Sequence, residues 1–163
     1  MDLPKDVDLR CRMHLLDTLV AIISGITLLL GRQAHNTVLA MRGKGDCSLV
    51  GTAKKVSAFE AALANGMAAH ADETDDSHLE GRFHPGCAII PAAISAAETS
   101  NVSSQVLLRS IALGYDVGAR CNMALGVRDA SMIKFSTHCV GGLFGAAAAA
   151  SACFNLSVSR LIQ

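Results

Sequence analysis

From residue 139 to residue 159 the chain runs for 21 positions without a charge, and Ala, Gly and Ser dominate the run. That stretch limits the fold more than any other. Small side chains are poor material for an aromatic-filled β-sandwich, but they let helices approach closely. They also transfer poorly into lipid compared with Leu or Ile, so a close-packed core helix is expected and a membrane span is not. A second uncharged run, 18–31, has 14 residues, a length that suits a buried helix. Composition agrees: 51% of residues are hydrophobic and only 4% aromatic. At 163 residues the chain is about one domain long and can bury a real core. The fold class expected is all-α, a multi-helix bundle.

Lys and Arg number 14, Asp and Glu 14, and the formal charge is zero. No basic patch with interleaved aromatics occurs, which argues against nucleic-acid binding. Zero charge with a high apolar fraction suggests that some surface is hidden in a partner. None of the six cysteines forms a C-x-x-C pair, and their spacing fits neither a zinc ribbon nor an iron–sulfur run. The first residues are polar and mixed in charge, without the order of a secretory signal. Reduced, mostly buried thiols in a cytoplasm-like compartment are expected, or in the mitochondrion for a eukaryotic source.

Hydrophobic spacing predicts a first helix from about Asp8, with Leu15, Leu16, Leu19, Ile22, Ile23 and Ile26 on its apolar face. Gly25 either marks a tight contact or ends that helix. Residues 31–51 read as loop with short pieces of structure, and 42–45 as a turn without phosphate-loop spacing. Ser57 can cap a helix over 58–70 with Phe59, Ala62, Leu63 and Met67 on one face. Pro91 suits the first turn of a helix ending near Thr99. Asn101, Ser103 or Ser104 can cap a long helix to about Cys121, and an Ala/Gly helix starts near Val140. Nothing reads as alternating strands. The closing residues look like the approach to another helix, so the chain reads as the N-terminal piece of something larger.

Between these elements, residues 65–85 read NGMAAHADETDDSHLEGRFHP, with three histidines and five carboxylates. Titratable groups between apolar walls are costly unless paired, solvated or used. A proton donor and acceptor near neutral pH would have this make-up. His84, followed by Pro85 and Gly86, is held at the mouth of an apolar helix. Glu73 and Ser77, four apart, share a face if that piece is helical. Asp75 and Asp76 with His70 and His78 could instead clamp a divalent ion, giving a metal-dependent hydrolase, though the pattern matches no standard metal motif. Solvated caps and hydrogen-bonded structural histidines would explain the same residues. Far off in sequence, His138 precedes the Ala-rich helix, whose free N–H groups favour an anion, and Lys134 adds positive charge.

These motifs resemble the MmgE/PrpD family, which includes 2-methylcitrate dehydratase, cis-aconitate decarboxylase and iminodisuccinate epimerase. The window 70–80 followed by His84-Pro85-Gly86 and Pro91-Ala92-Ala93 is similar to the family's central signature. Leu15-Leu16-Asp17-Thr18-Leu19, Gly114-Tyr115-Asp116-Val117 with Arg120, and Phe144-Gly145-Ala146-Ala147-Ala148 resemble further segments. The resemblance implies a helical domain, a homodimer, and a lyase or isomerase acting on small di- or tricarboxylates without metal or cofactor. It implies that His84 is the active-site histidine and that Glu73 and Ser77 stand where the family carries Asp and Thr. His138 falls in its second histidine segment, with Ser136 as the competing position. His84 and His138 are therefore the acid/base candidates, Glu73 and Ser77 the orienting ones, and Asp76, Ser136 and Lys134 the further substrate contacts. Family enzymes add a second α+β domain and draw catalytic lysines from beyond this stretch, so weak or no activity is expected of it alone. A non-catalytic helical dimerisation fragment is the other reading.

Overall fold

The computed structural model describes residues 2–41, 43–127 and 136–162. In chain order these form α1 (Lys5–Gly25), α2 (Leu29–Met41), β1 (Cys47–Ser48), β2 (Lys55–Val56), α3 (Ala58–Ala69), α4 (Gly86–Ser100), α5 (Ser104–Ala124), α6 (Thr137–Cys153) and α7 (Val158–Ile162). The all-α expectation holds. Among the described residues the only ladder is a two-residue antiparallel ribbon, Cys47 opposite Val56 and Ser48 opposite Lys55. No single described helix is long and apolar enough to cross a membrane.

Helix α4 is the hub. Ile89, Ile90, Pro91, Ala93, Ser95, Ala96 and Ala97 are all buried, and α3, α5 and α6 pack around it. Its Ile89, Ile90 and Ala93 join Cys11 of α1, Leu108 and Ile111 of α5, and Ala149 of α6 in one core. The Ala/Gly helix packs tightly, as its composition requires. A methyl on Gly114 would lie 2.8 Å from the Gly145 carbonyl oxygen, and one on Gly145 would lie 2.7 Å from the Gly114 carbonyl oxygen. One turn along, a methyl on Gly118 would lie 2.6 Å from the Gly141 carbonyl oxygen. Two glycines four apart on α5 thus face two on α6, and the backbones touch.

Ser57 caps α3 as expected. Its hydroxyl accepts from the Glu60 N–H, and the Glu60 carboxylate accepts from the Ser57 N–H at 3.0 Å. The box closes two otherwise orphaned N–H groups. The Glu60 carboxylate also accepts from the Ser57 hydroxyl at 2.6 Å and from the Gly43 N–H at 3.1 Å; the hydroxyl bond first, then the N–H bonds, hold it below the ordinary carboxylate pKa. Ser103 caps α5 in the simpler way.

Four expectations need correction. The first helix begins at Lys5. Residues 31–41, expected to be loop with short pieces of structure, lie in α2, whose Gly31, Ala34, His35 and Val38 are buried. A methyl on Gly31 would overlap the Gly25 backbone, so the glycine that obscured the helical period is a contact surface. Pro91 lies inside α4, because that helix starts at Gly86 behind Pro85. The ring removes the N–H that would reach the Cys87 carbonyl. Finally, the large apolar residues do not face the core. On α3 the buried set is Glu60, Ala61, Ala64, Asn65, Ala68 and Ala69, while Phe59, Leu63 and Met67 are exposed. On α1, Ile22 is buried but Leu16 and Ile23 are 64% and 53% exposed. Close approach explains the reversal: a methyl on Gly25 would overlap the Ala68 carbonyl, so the face that α3 turns to α1 is built of small residues, with Ile22 packed on Ala68 and Ala69.

The backbone contact between α5 and α6 leads to a test. Gly145→Ala should cost about 1–3 kcal/mol through overpacking against α5 and Ile89. It should lower the urea midpoint while leaving the helical circular dichroism of the folded state in place.

Candidate active site

The segment between α3 and α4 is not helical, so Glu73 and Ser77 do not share a helix face. Glu73 adopts φ 53° and is exposed, as is Ser77. The segment is nevertheless fixed from several sides. Phe83 is 2% exposed and fills the notch left by Gly141 and Gly118, 2.8 and 3.4 Å from where their Cβ atoms would stand. Asn122 of α5 donates to the Gly81 carbonyl at 2.8 Å and to the Thr137 carbonyl at 2.7 Å. The Thr137 hydroxyl donates to the Arg82 carbonyl. His78 belongs to this framework: its Nδ1 accepts from the Gly81 N–H at 2.9 Å, and its ring packs on Phe83.

Asp76, expected to touch substrate, is instead spent within the protein. One carboxylate oxygen accepts from the Gly86 N–H at 2.8 Å. The other accepts from the Tyr115 hydroxyl at 2.8 Å and faces His14 Nδ1 at 2.8 Å. Desolvation pushes its pKa up, but the bonds from His14, Tyr115 and Gly86 outweigh that and hold it below the ordinary value. Burial, then the Asp76 charge, drives the Tyr115 phenol far upward, so it stays a donor. The His14 ring packs on Tyr115 with centroids 4.7 Å apart. Asp76 thus ties α1, α4 and α5 to the loop.

That tie reaches His84. The Asp76 carbonyl oxygen lies 2.8 Å from His84 Nδ1. A carbonyl only accepts, so Nδ1 carries the hydrogen and Nε2 holds the lone pair. Ser77 Oγ is 3.3 Å from the same nitrogen. His70 is held similarly, with Nδ1 at 3.1 and 3.3 Å from the two oxygens of Asp75. Asp75 is 5% exposed; its imidazole partner offsets the cost of burying the carboxylate. His138 completes the group from the first turn of α6, which begins three residues before the expected Val140. Its ring centroid is 5.1 Å from that of His84 and 6.1 Å from that of His70, and the His70–His84 separation is 5.2 Å.

Three imidazoles from three parts of the chain therefore meet over one buried carboxylate. Partial desolvation first, then positive charge on His84 and His70, pulls the His138 pKa below 6.5, against the opposing charges of Asp75 and Glu73. A base that is free at neutral pH beside imidazoles that can carry a proton is suited to acid–base work. His70, Asp75 and His84 also offer ligand atoms within 4.8 Å of one another, so they could hold a metal; His78, the expected companion of His70, is not in that group. Ser136 is exposed at the N-cap of α6 and makes no side-chain cap bond. Lys134 lies outside the described residues. His14 and Asn122 went unnoticed in the sequence, where the only sign of either was one polar residue on a helix.

Asp76 carries a prediction about pH. Its depressed pKa contributes stability that is full above the ordinary value of 3.8 and lost as pH falls through the lower folded value. Asp76→Asn should cost about 2 kcal/mol at neutral pH. The gap between variant and wild type should narrow as pH falls below 3.8, measured by urea unfolding from neutral pH into the acid range.

Comparison with known proteins identifies the family. Residues 1–163 match the family described as the MmgE/PrpD N-terminal domain. The chain is 29% identical over 162 residues to a cis-aconitate decarboxylase-like protein, oryM, of Aspergillus oryzae (strain ATCC 42149 / RIB 40). That alignment covers 95% of this chain and 33% of the relative, so the chain spans about a third of the length of the curated relative it matches. Because the family match runs over the whole chain given, the chain belongs to the MmgE/PrpD family.

Proposed function

We propose that this chain forms the helical, histidine-bearing part of a lyase or isomerase that acts on small di- or tricarboxylates. The reaction class is proton transfer at a carbon α to a carboxylate. Dehydration of 2-methylcitrate, decarboxylation of cis-aconitate and epimerisation of iminodisuccinate are its three candidate forms; the name of the Aspergillus relative favours the second. The observation that carries the reading is the meeting of His84, His138 and His70, with the His84 tautomer set by the Asp76 carbonyl. His84 Nε2 takes or returns the proton. His138, kept proton-poor by partial desolvation and then by its imidazole neighbours, is the second acid/base. Ser77 beside His84 and Glu73 at the rim orient the ligand. No cofactor is invoked for these steps.

The test is turnover of these three substrates by the full-length protein that carries this segment. His84→Gln should lower kcat by about 10²- to 10⁴-fold, the usual worth of a positioned acid or base, with KM moving far less. Wild-type kcat in that variant would remove His84 from the chemistry.

We also propose that the chain self-associates. Leu9, Met13, Leu16, Val20 and Ile23 are all more than half exposed and recur at alternating spacings of four and three along α1. That is the seam spacing of paired helices, and a second copy offers a matching seam. Light scattering should give twice the chain mass, and Leu16→Glu should return it to a single mass without loss of helical content. A wild-type chain of single mass would overturn the dimer.

A further inference from the structure

The three imidazoles have a second chemical meaning. When three histidines bind one tetrahedral ion through Nε2 at about 2.0–2.1 Å, their ring centroids stand about 5 Å apart. The separations here are 5.1, 5.2 and 6.1 Å. The spacing matches three imidazoles about one ion: His70, Asp75 and His84 already bring ligand atoms within 4.8 Å of one another, and His138 joins them by turning its ring inward.

The surrounding groups fit as well. Metal-binding histidines donate the other ring N–H to a carboxylate or carbonyl, which orients the ring and leaves the ligating nitrogen bare. His70 does this to Asp75 at 3.1 Å, and His84 does it to the Asp76 carbonyl at 2.8 Å. Asp75 is buried and places negative charge directly behind the rings, where a dication needs it. Its Oδ1 is also 3.6 Å from His84 Nδ1. An exposed carboxylate cluster would have none of this ordering. His138 lies at the open side, so an ion can enter without unfolding anything.

We infer that His70, His84 and His138, backed by Asp75, form a binding site for a zinc-class divalent cation, and that the bound ion shuts the proton-transfer site. Imidazole ligands and a compact four-coordinate space suit Zn²⁺ or Co²⁺ rather than Mg²⁺ or Ca²⁺, which prefer six or more oxygens. The binding claim stands by itself. The inhibitory consequence rests on the function proposed above, because a lone pair given to the ion cannot take a proton.

Co²⁺ is the probe, added to this chain with visible absorption as the readout. One equivalent should give the intense bands of a tetrahedral centre, and Zn²⁺ should displace them. His70→Ala, His84→Ala and His138→Ala should each weaken Co²⁺ binding by at least about tenfold; Cys139→Ser, which removes the exposed thiol next to His138, should leave it unchanged. Circular dichroism should show each variant folded, and Zn²⁺ should raise the melting temperature of wild type but not of His84→Ala. Bands that survive all three histidine changes, or that vanish with Cys139→Ser, overturn the site, as does the absence of a tetrahedral spectrum. In the full-length protein, turnover measured with a chelator tests the proton-transfer reading. Loss of that turnover on adding micromolar Zn²⁺, with recovery on chelation, tests the inhibition. Turnover that is indifferent to Zn²⁺ overturns the inhibition and leaves the proton-transfer reading standing.

Discussion

Backbone contact between α5 and α6 is the constraint on which the rest of the structure depends. It requires glycine at 114, 118, 141 and 145, because a methyl at each would meet a carbonyl, Ile89 or Phe83 at less than 3.0 Å. The contact brings Asn122 and Thr137 side by side, and these two hold the carbonyls of Gly81 and Arg82. The same glycines open the notch that Phe83 fills. His84 follows Phe83 directly, and His138 follows Thr137. One close approach of two helices therefore places two of the three imidazoles.

Asp76 provides the complementary restraint. Its side chain links α1, α4 and α5 through His14, Gly86 and Tyr115, while its carbonyl sets the hydrogen on His84. Side chain and main chain of one residue thus couple the packing of the bundle to the tautomer of the candidate base. This is why an irregular segment can hold a defined site. Loops are ordinarily the mobile part of a fold, but this one is bonded to four helices, α1, α4, α5 and α6.

Much of this was legible in advance. The Ala/Gly run announced a tightly packed helix, Ser57 and Ser103 announced helix starts, and the clustered histidines and carboxylates announced where chemistry could sit. What misled the reading was size. Phe59, Leu63, Met67 and Leu16 resemble core residues, yet the inward faces of α1 and α3 belong largely to Ala, Gly and small polar side chains. A hydrophobicity pattern records how much area a residue could bury, not how closely two backbones come together. The same confusion hid α2, since Gly31 reads as a breaker when alone and is a contact surface when Gly25 lies against it. Asp76 was misread for a related reason. A carboxylate in an acidic run looks free to meet a ligand until its partners, His14 and Tyr115, are brought in from distant helices.

The sequence by itself determined the helical class, the family and the roster of titratable groups, because those follow from local composition and from motifs that are contiguous in the chain. Only the tertiary structure decided which histidines meet. His70, His84 and His138 converge while His78, within the same window, turns to Phe83 and the backbone. That choice depends on helix separations of a few ångströms, set by glycines far from the window, and separation in space is the quantity that a linear pattern does not carry.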